Sequence, residues 1–369
     1  MKTQYRLYGW HISHFAGKIR GYLNYKRLDY SEKTCTVFDM KSRIPKHTGA
    51  MAMPAIETRD GEWLADTPLM IEALETRHPA NSIGINTPLQ RVLAELFENW
   101  ADDVMLPVSL HTRWSYPENY TTLLREEGGK NLLPYAPRFL RNKLSDKVFL
   151  ASMSGSKESQ GITPEQIPLL ERWSLHILDL LDTHFQQHNY LFGGRPTVAD
   201  YGLLGTMYGH LNRDPWPKRE WLDPRPNLQA WVERTHSGQA AQGELLADDK
   251  IPDTLMPVID IIGREFLVCM DKTAAALHEL VDRKQLTSGS SLPRVLPGIT
   301  YPMADREYTR HCFTYSLWRM QRIQKQLRSL PEAEQATVAQ WFSDKEFMDL
   351  ASMDCGPKLE RKGLGARLA

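Results

Sequence analysis

Residues 51–75 read MAMPAIETRDGEWLADTPLMIEALE, and this stretch predicts two short strands, a tight turn and a helix. Asp60-Gly61 lies between the two strand-like runs and is a signal for a hairpin turn. Thr67 and Pro68 predict the helix start, with a hydroxyl cap followed by proline at the first helical position, where no N–H is needed. The next apolar residues share one helical face: Met70, Ile71 and Leu74.

Pro54 stands just before the first apolar strand of this stretch. Proline cannot donate to a sheet ladder, so it is tolerated there only at the first residue of a strand or in a turn. A cis peptide bond is one way to build such a turn. A cis Met53-Pro54 bond would point the backbone N–H and C=O of Met53 toward a neighbouring cleft, where they could pair with an extended peptide.

Composition limits the classes of protein to which the chain can belong. Its 369 residues predict two or three domains. Lys and Arg total 45, as do Asp and Glu, and a balanced charge disfavours bulk attraction to nucleic acid or acidic membranes. No apolar run approaches the roughly 18 residues of a membrane span, and the first residues lack the apolar region of a signal peptide.

The four cysteines are scattered, without a CxxC pair: Cys35, Cys269, Cys312 and Cys355. This spacing favours free thiols in a reducing compartment over a disulfide framework or a zinc site. The sequence therefore predicts a cytoplasmic protein with no bound metal.

The first forty residues predict a strand, a helix and a second strand. Residues 5–10 are the predicted first strand, and a helical period follows from Ser13. Residues 34–38 are the predicted second strand. Together with residues 51–75, this order gives a β-α-β unit followed by β-β-α, ending near residue 80 before a linker rich in turn formers at 79–90.

Most of the remaining chain predicts helices. The segment at 190–204 reads YLFGGRPTVADYGLL, with Thr197 and Asp200 placed as reciprocal caps of a helix that begins after Thr197. Long helices are also predicted over about 89–106 and 164–188. The first of these carries acidic residues, for which a solvated face is expected: Glu95, Glu98, Asp102 and Asp103. A pairing of Asp102 with Arg113 across a cleft is the alternative.

These two motifs resemble the two domains of glutathione transferases. The block at 51–75 is similar to the second half of the thioredoxin-like domain in that family, and 193–200 is similar to the segment that caps the central helix of its all-helical domain. The resemblance covers roughly residues 4–236. It implies an α+β thioredoxin-like domain over 1–80, an all-α domain over 88–236, and an extension over 237–369 like that of uncharacterised bacterial members with long C-terminal regions.

The resemblance implies that glutathione is the co-substrate and gives its binding residues. The Met53 backbone beside Pro54 would hold the cysteinyl part, and Asp66 and Thr67 would hold the γ-glutamyl end. The physical chemistry agrees with this role, because a helix N-terminus offers free N–H groups to a carboxylate, and Asp66 offers a negative charge to an ammonium group.

The same resemblance places the active-site loop at residues 7–20. The position of the catalytic tyrosine in some relatives falls on Gly9, and the serine or cysteine position falls on Ser13. A hydroxyl at a helix N-terminus can stabilise a thiolate. His11 and His14 flank Ser13, and one of them is a candidate base or orienting group. The alternatives are a simple helix cap for Ser13 and loop positions for both histidines.

The predicted activity is a reaction of the glutathione thiol with an apolar electrophile, by conjugation or by a related lyase, isomerase or dehalogenase reaction. The electrophile is expected between the two domains, near a group of aromatic and histidine residues: Trp10, His11, Trp100, His111 and Trp114. A non-catalytic binding or assembly module is the alternative, and a thiol reductase is a weaker one because no cysteine stands at Ser13. The resemblance also implies a homodimer.

The extension predicts helices over about 255–280, 313–327 and from Pro331 onward, separated by a stretch rich in turn formers at 289–302. Its Gly-rich and charged tail at 356–365 is expected to be loose. The extension either stabilises the helical domain or narrows the substrate pocket as a lid.

Overall fold

The computed structural model describes residues 3–150 and 156–369. Its helices are α1 His14–Tyr25, α2 Ile44–Thr48, α3 Thr67–Arg77, α4 Pro88–Asp103, α5 Met105–Trp114, α6 Pro117–Asn119, α7 Arg125–Leu132, α8 Arg138–Ser145, α9 Ile167–Gln187, α10 Val198–Thr206, α11 Pro215–Pro217, α12 Pro226–Ser237, α13 Met256–Ile261, α14 Leu267–Lys284, α15 Thr314–Arg328 and α16 Glu332–Asp344. Its strands are β1 Tyr5–Gly9, β2 Tyr30–Thr34, β3 Ala55–Thr58, β4 Trp63–Ala65, β5 Val295–Met303, β6 Arg306–Phe313, β7 Leu359–Lys362 and β8 Gly365–Leu368.

Several helices continue through π-helical or 3-10 segments. The π-helical segments are Asp39–Arg43, Tyr120–Leu124, Asp146–Leu150, Met207–Leu211, Lys218–Leu222 and Ile262–Phe266, and the 3-10 turn is Asp253–Leu255.

The N-terminal domain is a mixed four-stranded sheet in the order β2-β1-β3-β4. Strand β1 pairs in parallel with β2 and antiparallel with β3, and β3 pairs antiparallel with β4 across the predicted Asp60-Gly61 turn. This is the β-α-β and β-β-α order predicted for a thioredoxin-like domain. An all-helical domain follows, and the predicted fold class is confirmed.

Two local predictions in this domain are wrong by a few residues. Strand β2 ends at Thr34, because Thr36 donates from its N–H and hydroxyl to Asp39 and turns the chain into a helical segment. Cys35 therefore lies beyond the strand. Helix α3 begins at Thr67, so its N-cap is Asp66, which has a φ of 80°. The Asp66 carboxylate makes no capping hydrogen bond and instead contacts Tyr315 and Arg361 of the extension.

The reciprocal cap in the helical domain is confirmed. Asp200 accepts from the Thr197 N–H at 2.9 Å and from the Thr197 hydroxyl at 3.1 Å. The same carboxylate accepts from the Leu191 N–H at 3.0 Å and from Trp231 Nε1 at 3.1 Å. Four donors on three segments thus converge on one buried carboxylate, which fixes the start of α10 against α12.

The acidic face predicted on α4 is buried instead of solvated. Glu98 and Asp103 are buried, and each pairs with an arginine of the extension, Arg319 and Arg310 respectively. Asp102 does not pair with Arg113, because Arg113 instead binds Asp214 with distances of 2.7 and 2.9 Å. The extension thus supplies the cations that allow the carboxylates of this face to be buried.

The extension also contains strands that the sequence did not predict. Residues 295–313 form the antiparallel hairpin of β5 and β6. The tail that was expected to be loose pairs as β7 and β8. The predicted helices are present, and α13 to α14 continue from residue 256 to 284 through one π-helical segment. No helix in the described part of the chain is long and apolar enough to cross a bilayer.

Candidate active site

The Met53-Pro54 peptide bond is cis, and both residues line a cavity of about 120 Å³. Among the residues that the structure describes, none hydrogen-bonds to the backbone N–H or C=O of Met53. Asp66 and Thr67 at the start of α3 line the same cavity. The four residues predicted to bind glutathione are therefore brought together by the fold.

The C-terminal extension forms another wall of this cavity. Arg294 and Phe313 contribute from the two ends of the β5–β6 hairpin, and Leu364 contributes from the turn between β7 and β8. Tyr315 and Ser316 contribute from the first turn of α15. Pockets for small molecules usually measure about 300–1,000 Å³, so the extension leaves a smaller space than a typical ligand site. The lining is mostly apolar, with Phe15 and Leu106 completing it from the helices.

The Asp66 carboxylate is bound by the extension. The Tyr315 hydroxyl lies 2.7 Å from each of its oxygens, and Arg361 Nη1 lies 3.4 Å from Oδ2. Only 8% of the Asp66 side chain is exposed. Burial raises the pKa of Asp66, and the Tyr315 hydrogen bond and the nearby arginines oppose that rise. The group that the resemblance assigns to the γ-glutamyl ammonium is thus already paired.

The wall formed by α4 carries polar groups. Asn99 and Asp102 line the cavity from this helix, and Asn99 donates to the Ser316 carbonyl at 3.2 Å. Asp102 Oδ2 accepts from Lys18 Nζ at 2.6 Å and lies 3.5 Å from Arg319 Nη1. Burial raises the pKa of Asp102 to about 6, although Lys18 opposes that rise. Perturbed titrating groups in a cleft are characteristic of functional sites.

Ser13 is the N-cap of α1, as its alternative interpretation predicted. Its Oγ accepts from the Ala16 N–H at 3.3 Å. Phe15, two residues further on, lines the cavity, but Ser13 is not among the lining residues. The position thus provides a capped helix beside the cavity.

The two flanking histidines point in different directions. His14 is buried against α10, where a Cβ added at Gly205 would lie 2.4 Å from its Nε2. Burial lowers the pKa of His14 to about 3, so the ring is neutral at pH 7. His11 is exposed, with its Nε2 3.7 Å from Glu32 Oε2. Neither lines the cavity, so the structure does not bring the three predicted catalytic residues together with the predicted binding residues.

The aromatic residues predicted around the electrophile are dispersed. Trp100 is buried in the main core, where its ring packs against Phe97 and Trp173. His111 is buried and bonds to Glu171 at 2.9 Å. Trp10 and Trp114 belong to a smaller cluster that also includes Met53. None of these lines the cavity.

Other chemistries find less support in the described residues. Cys35 is buried, and burial raises its pKa to about 12, whereas a reductase needs an accessible thiolate. Within residues 3–150 and 156–369, no group of three or more His, Cys, Asp or Glu side chains is arranged to hold a metal ion.

Comparison with known families agrees with the two domains. The model described as glutathione S-transferase, N-terminal domain, matches residues 7–82. The model described as glutathione S-transferase, C-terminal domain, matches residues 175–234. The chain thus carries matches to both domains of glutathione S-transferases, which supports a glutathione-related transferase function in general terms. The comparison with curated proteins finds no match.

Three solved structures with similarity to this chain are two glutathione S-transferases and a β-etherase. A glutathione S-transferase from Rhodospirillum rubrum F11 is 18% identical, with 68% of this chain and 97% of that chain covered and a TM-score of 0.40. One from Methylobacterium radiotolerans, in complex with glutathione sulfonate, is 19% identical, with 67% and 99% covered and a TM-score of 0.39. The β-etherase LigF from Sphingobium is 16% identical, with 70% and 99% covered and a TM-score of 0.42.

Sequence reasoning missed Tyr315 and misjudged Asp102. The sequence shows Asp102 as one of several acidic residues on α4, whereas its burial depends on Arg319, more than 200 residues away in sequence. Tyr315 follows a hairpin that was not predicted. The sequence 314–328 contains one signal of this pairing. Arg319 interrupts the apolar face of its helical period, and an arginine on a buried face requires a carboxylate as its partner.

Proposed function

We propose that this protein binds glutathione in the cavity beside the cis Met53-Pro54 bond and uses its thiol as a nucleophile toward a small apolar electrophile. The observation that carries the proposal is that the Met53 backbone, which has no hydrogen-bond partner among the described residues, lies in a cavity that Thr67 and Asp66 also line. A peptide-like ligand can pair with such a backbone edge as an additional strand does.

The apolar lining supports the second substrate class. Phe15, Leu106 and Phe313 line the cavity together with Pro54. An apolar electrophile gains free energy from leaving water there, in proportion to the apolar area buried. The reaction itself is the attack of the sulfur on this electrophile, with the leaving group departing with its bonding electrons.

Binding of the γ-glutamyl ammonium at Asp66 requires that Tyr315 and Arg361 give up their contacts with this carboxylate. The β7–β8 hairpin and the start of α15 would have to move away from α3 to admit the ligand. The proposed site is therefore one that the extension covers and that glutathione opens.

Isothermal titration calorimetry with glutathione tests the proposal. We expect the wild type to bind and Asp66→Ala to bind at least tenfold more weakly, because a charged hydrogen bond contributes about 1.5–3 kcal/mol. Asp305→Asn is the matched control, because that aspartate is 75% exposed and lies outside the cavity. A wild type that does not bind glutathione contradicts the proposal.

A second candidate function is a non-catalytic binding or assembly module, favoured by the contact of Tyr315 and Arg361 with Asp66. In this case the extension permanently replaces the ligand. Failure of both the wild type and Tyr315→Phe to bind glutathione would support it. A cytoplasmic location and a homodimer are part of the first proposal, and sedimentation of the full chain tests the dimer.

A further inference from the structure

Asp102 lines the cavity from α4, and one of its carboxylate oxygens makes no hydrogen bond among the described residues. Its Oδ2 is bound to Lys18 at 2.6 Å, whereas its Oδ1 has no hydrogen-bond partner among the described residues although it is buried. Only 12% of the side chain is exposed. Buried carboxylate oxygens are nearly always hydrogen-bonded, so the Asp102 carboxylate, whose residue lines the cavity, retains an acceptor for one further proton.

The charges around Asp102 balance before any ligand binds. Lys18 on α1 lies 2.8 Å from Glu98 Oε1 as well as 2.6 Å from Asp102 Oδ2. Arg319 on α15 pairs with Glu98 at 2.5 Å and with Asp102 at 3.5 Å. Two cations and two carboxylates therefore give a net charge of zero. Tyr315 is the other titratable group that faces Asp102 from α15, and it is neutral at pH 7 because burial raises its pKa.

We propose that Asp102 is a catalytic residue, the general base that accepts the proton of the glutathione thiol when the cysteinyl part is held at Met53. This inference rests on the proposed function. In the proposed step the S–H bond breaks, an O–H bond forms at the Asp102 carboxylate, and the electron pair stays on sulfur. The thiolate then bonds to the electrophile, whose leaving group departs with the electrons of the broken bond.

The electrostatic consequence of the transfer favours the thiolate. Once Asp102 is protonated, Lys18, Arg319 and Glu98 carry a net charge of +1 beside the new negative charge on sulfur. Preorganised charges in a site that excludes water stabilise such a species more strongly than water does. The pKa of Asp102, which burial raises to about 6, also brings its proton affinity closer to that of a thiol, as an effective base requires.

Ser13 is less suited to this role. A serine hydroxyl can donate a hydrogen bond to a thiolate, but it is not basic enough to take the proton at neutral pH. Its Oγ already accepts from the Ala16 N–H, and the residue does not line the cavity. Asp102 and Met53 line the same small space.

The experiment compares the full-length wild type with Asp102→Asn and Asp102→Glu, using glutathione and 1-chloro-2,4-dinitrobenzene as probe substrates. We expect Asp102→Asn to lower kcat/KM at pH 7 by about 10²-fold or more, as loss of a general base does. The wild-type kcat/KM should fall tenfold per pH unit below about pH 6, where Asp102 becomes protonated. The Asn variant should lack this feature and rise with pH up to the range of the free thiol.

S-methylglutathione separates a catalytic role from a structural one, because it has no thiol proton. Its dissociation constant should change less than threefold in Asp102→Asn, and Asp102→Glu should recover the wild-type pH profile with a lower kcat. If Asp102→Asn does not fold, the pH profile of Asp102→Glu decides. Asp248→Asn is the control, since that aspartate is 79% exposed.

An Asp102→Asn pH profile that equals the wild-type profile would overturn the inference while leaving the proposed function intact. The same holds for an Asp102→Glu profile unlike that of the wild type. A wild type that binds neither glutathione nor S-methylglutathione would overturn both.

Discussion

The Tyr315 hydroxyl donates to the carboxylate of Asp66, at 2.7 Å from each oxygen, although the two residues are 249 positions apart in the chain. This contact joins the first turn of α15 to the start of α3. It occupies the carboxylate that the family resemblance assigns to the amine of glutathione. Under the proposed function, glutathione would therefore have to displace this contact.

Replacement of Tyr315 by phenylalanine should strengthen the binding of glutathione. The variant removes the hydroxyl that competes for Asp66 and keeps the ring packed against Trp318. We expect the dissociation constant to fall about tenfold, since a hydrogen bond to a charged group contributes about 1.5–3 kcal/mol. Calorimetry measures this change.

Tyr135→Phe serves as the matched control for this prediction, because Tyr135 is almost fully exposed. This substitution should leave the dissociation constant of glutathione unchanged. Equal affinity of Tyr315→Phe and wild type would show that the extension does not compete at Asp66.

Removal of Arg310 should strongly destabilise the protein. Arg310 is buried and pairs with Asp103, and its Nε donates to Tyr301 at 3.0 Å. Arg310→Met leaves the buried Asp103 charge without its cation, which typically costs about 3–5 kcal/mol. Urea unfolding measures the loss. The double variant Arg310→Met/Asp103→Leu should recover part of it, because no uncompensated charge remains.

Arg367→Met gives the comparison, since its pair with Glu360 is about half exposed and exposed pairs contribute at most about 1 kcal/mol. If Arg310→Met and Arg367→Met lowered the free energy of unfolding by similar amounts, the contribution of the Arg310–Asp103 pair to stability would not depend on its burial.

Asp200→Ala should destabilise the helical domain more than the loss of an ordinary helix cap. The carboxylate satisfies donors from Leu191, Thr197 and Trp231, and each unsatisfied buried donor costs about 1–3 kcal/mol. We expect a loss of at least about 3 kcal/mol in the free energy of unfolding. Asp200→Asn, which keeps one acceptor oxygen, should lose less; an equal loss would count against this account.

Glu265 should make stability depend on pH in the direction opposite to that of a salt-bridged carboxylate. Burial raises its pKa to about 7, above its value near 4.5 in the unfolded chain. Between these values the folded state holds the proton and the unfolded state does not, so stability falls as pH rises, by at most about 1.4 kcal/mol per unit. Below pH 4.5 the contribution is fully present.

Glu265→Gln should remove this dependence. The difference in unfolding free energy between wild type and variant, measured in urea from pH 4.5 to 7, should move in favour of the variant. Gln keeps one acceptor oxygen for Trp173 Nε1, which lies 2.7 Å from Glu265 Oε2, and loses the acceptor of the Ala304 N–H, which lies 2.8 Å from Oε1. That loss does not depend on pH. A difference that is constant across this range would contradict the prediction.

Much of the N-terminal domain could be predicted because its signals are local. The Asp60-Gly61 turn and the apolar face of α3 each depend on residues within a few positions of one another. The Thr197-Asp200 cap is likewise a contact between residues three apart. The candidate glutathione-binding residues lie within residues 51–75, and the family resemblance gave them that role.

The predictions that failed concern groups whose partners are distant in sequence. The acidic residues of α4 have the composition of a solvated face, and nothing near them shows that Lys18 and Arg319 will cover them. The tail at 356–365 has the composition of a loose segment, and its order comes from pairing between β7 and β8 and from the contact of Arg361 with Asp66.

By itself, the sequence determined the order of elements in the N-terminal domain, the long helices and which proline precedes the third strand, because backbone hydrogen bonding, capping and apolar periodicity act over a few residues. Only the tertiary structure decided which charges are buried and what lies against Asp66. The free energy of a buried charge depends on whether an opposite charge reaches it, and that is fixed by how the extension folds back over α3 and α4.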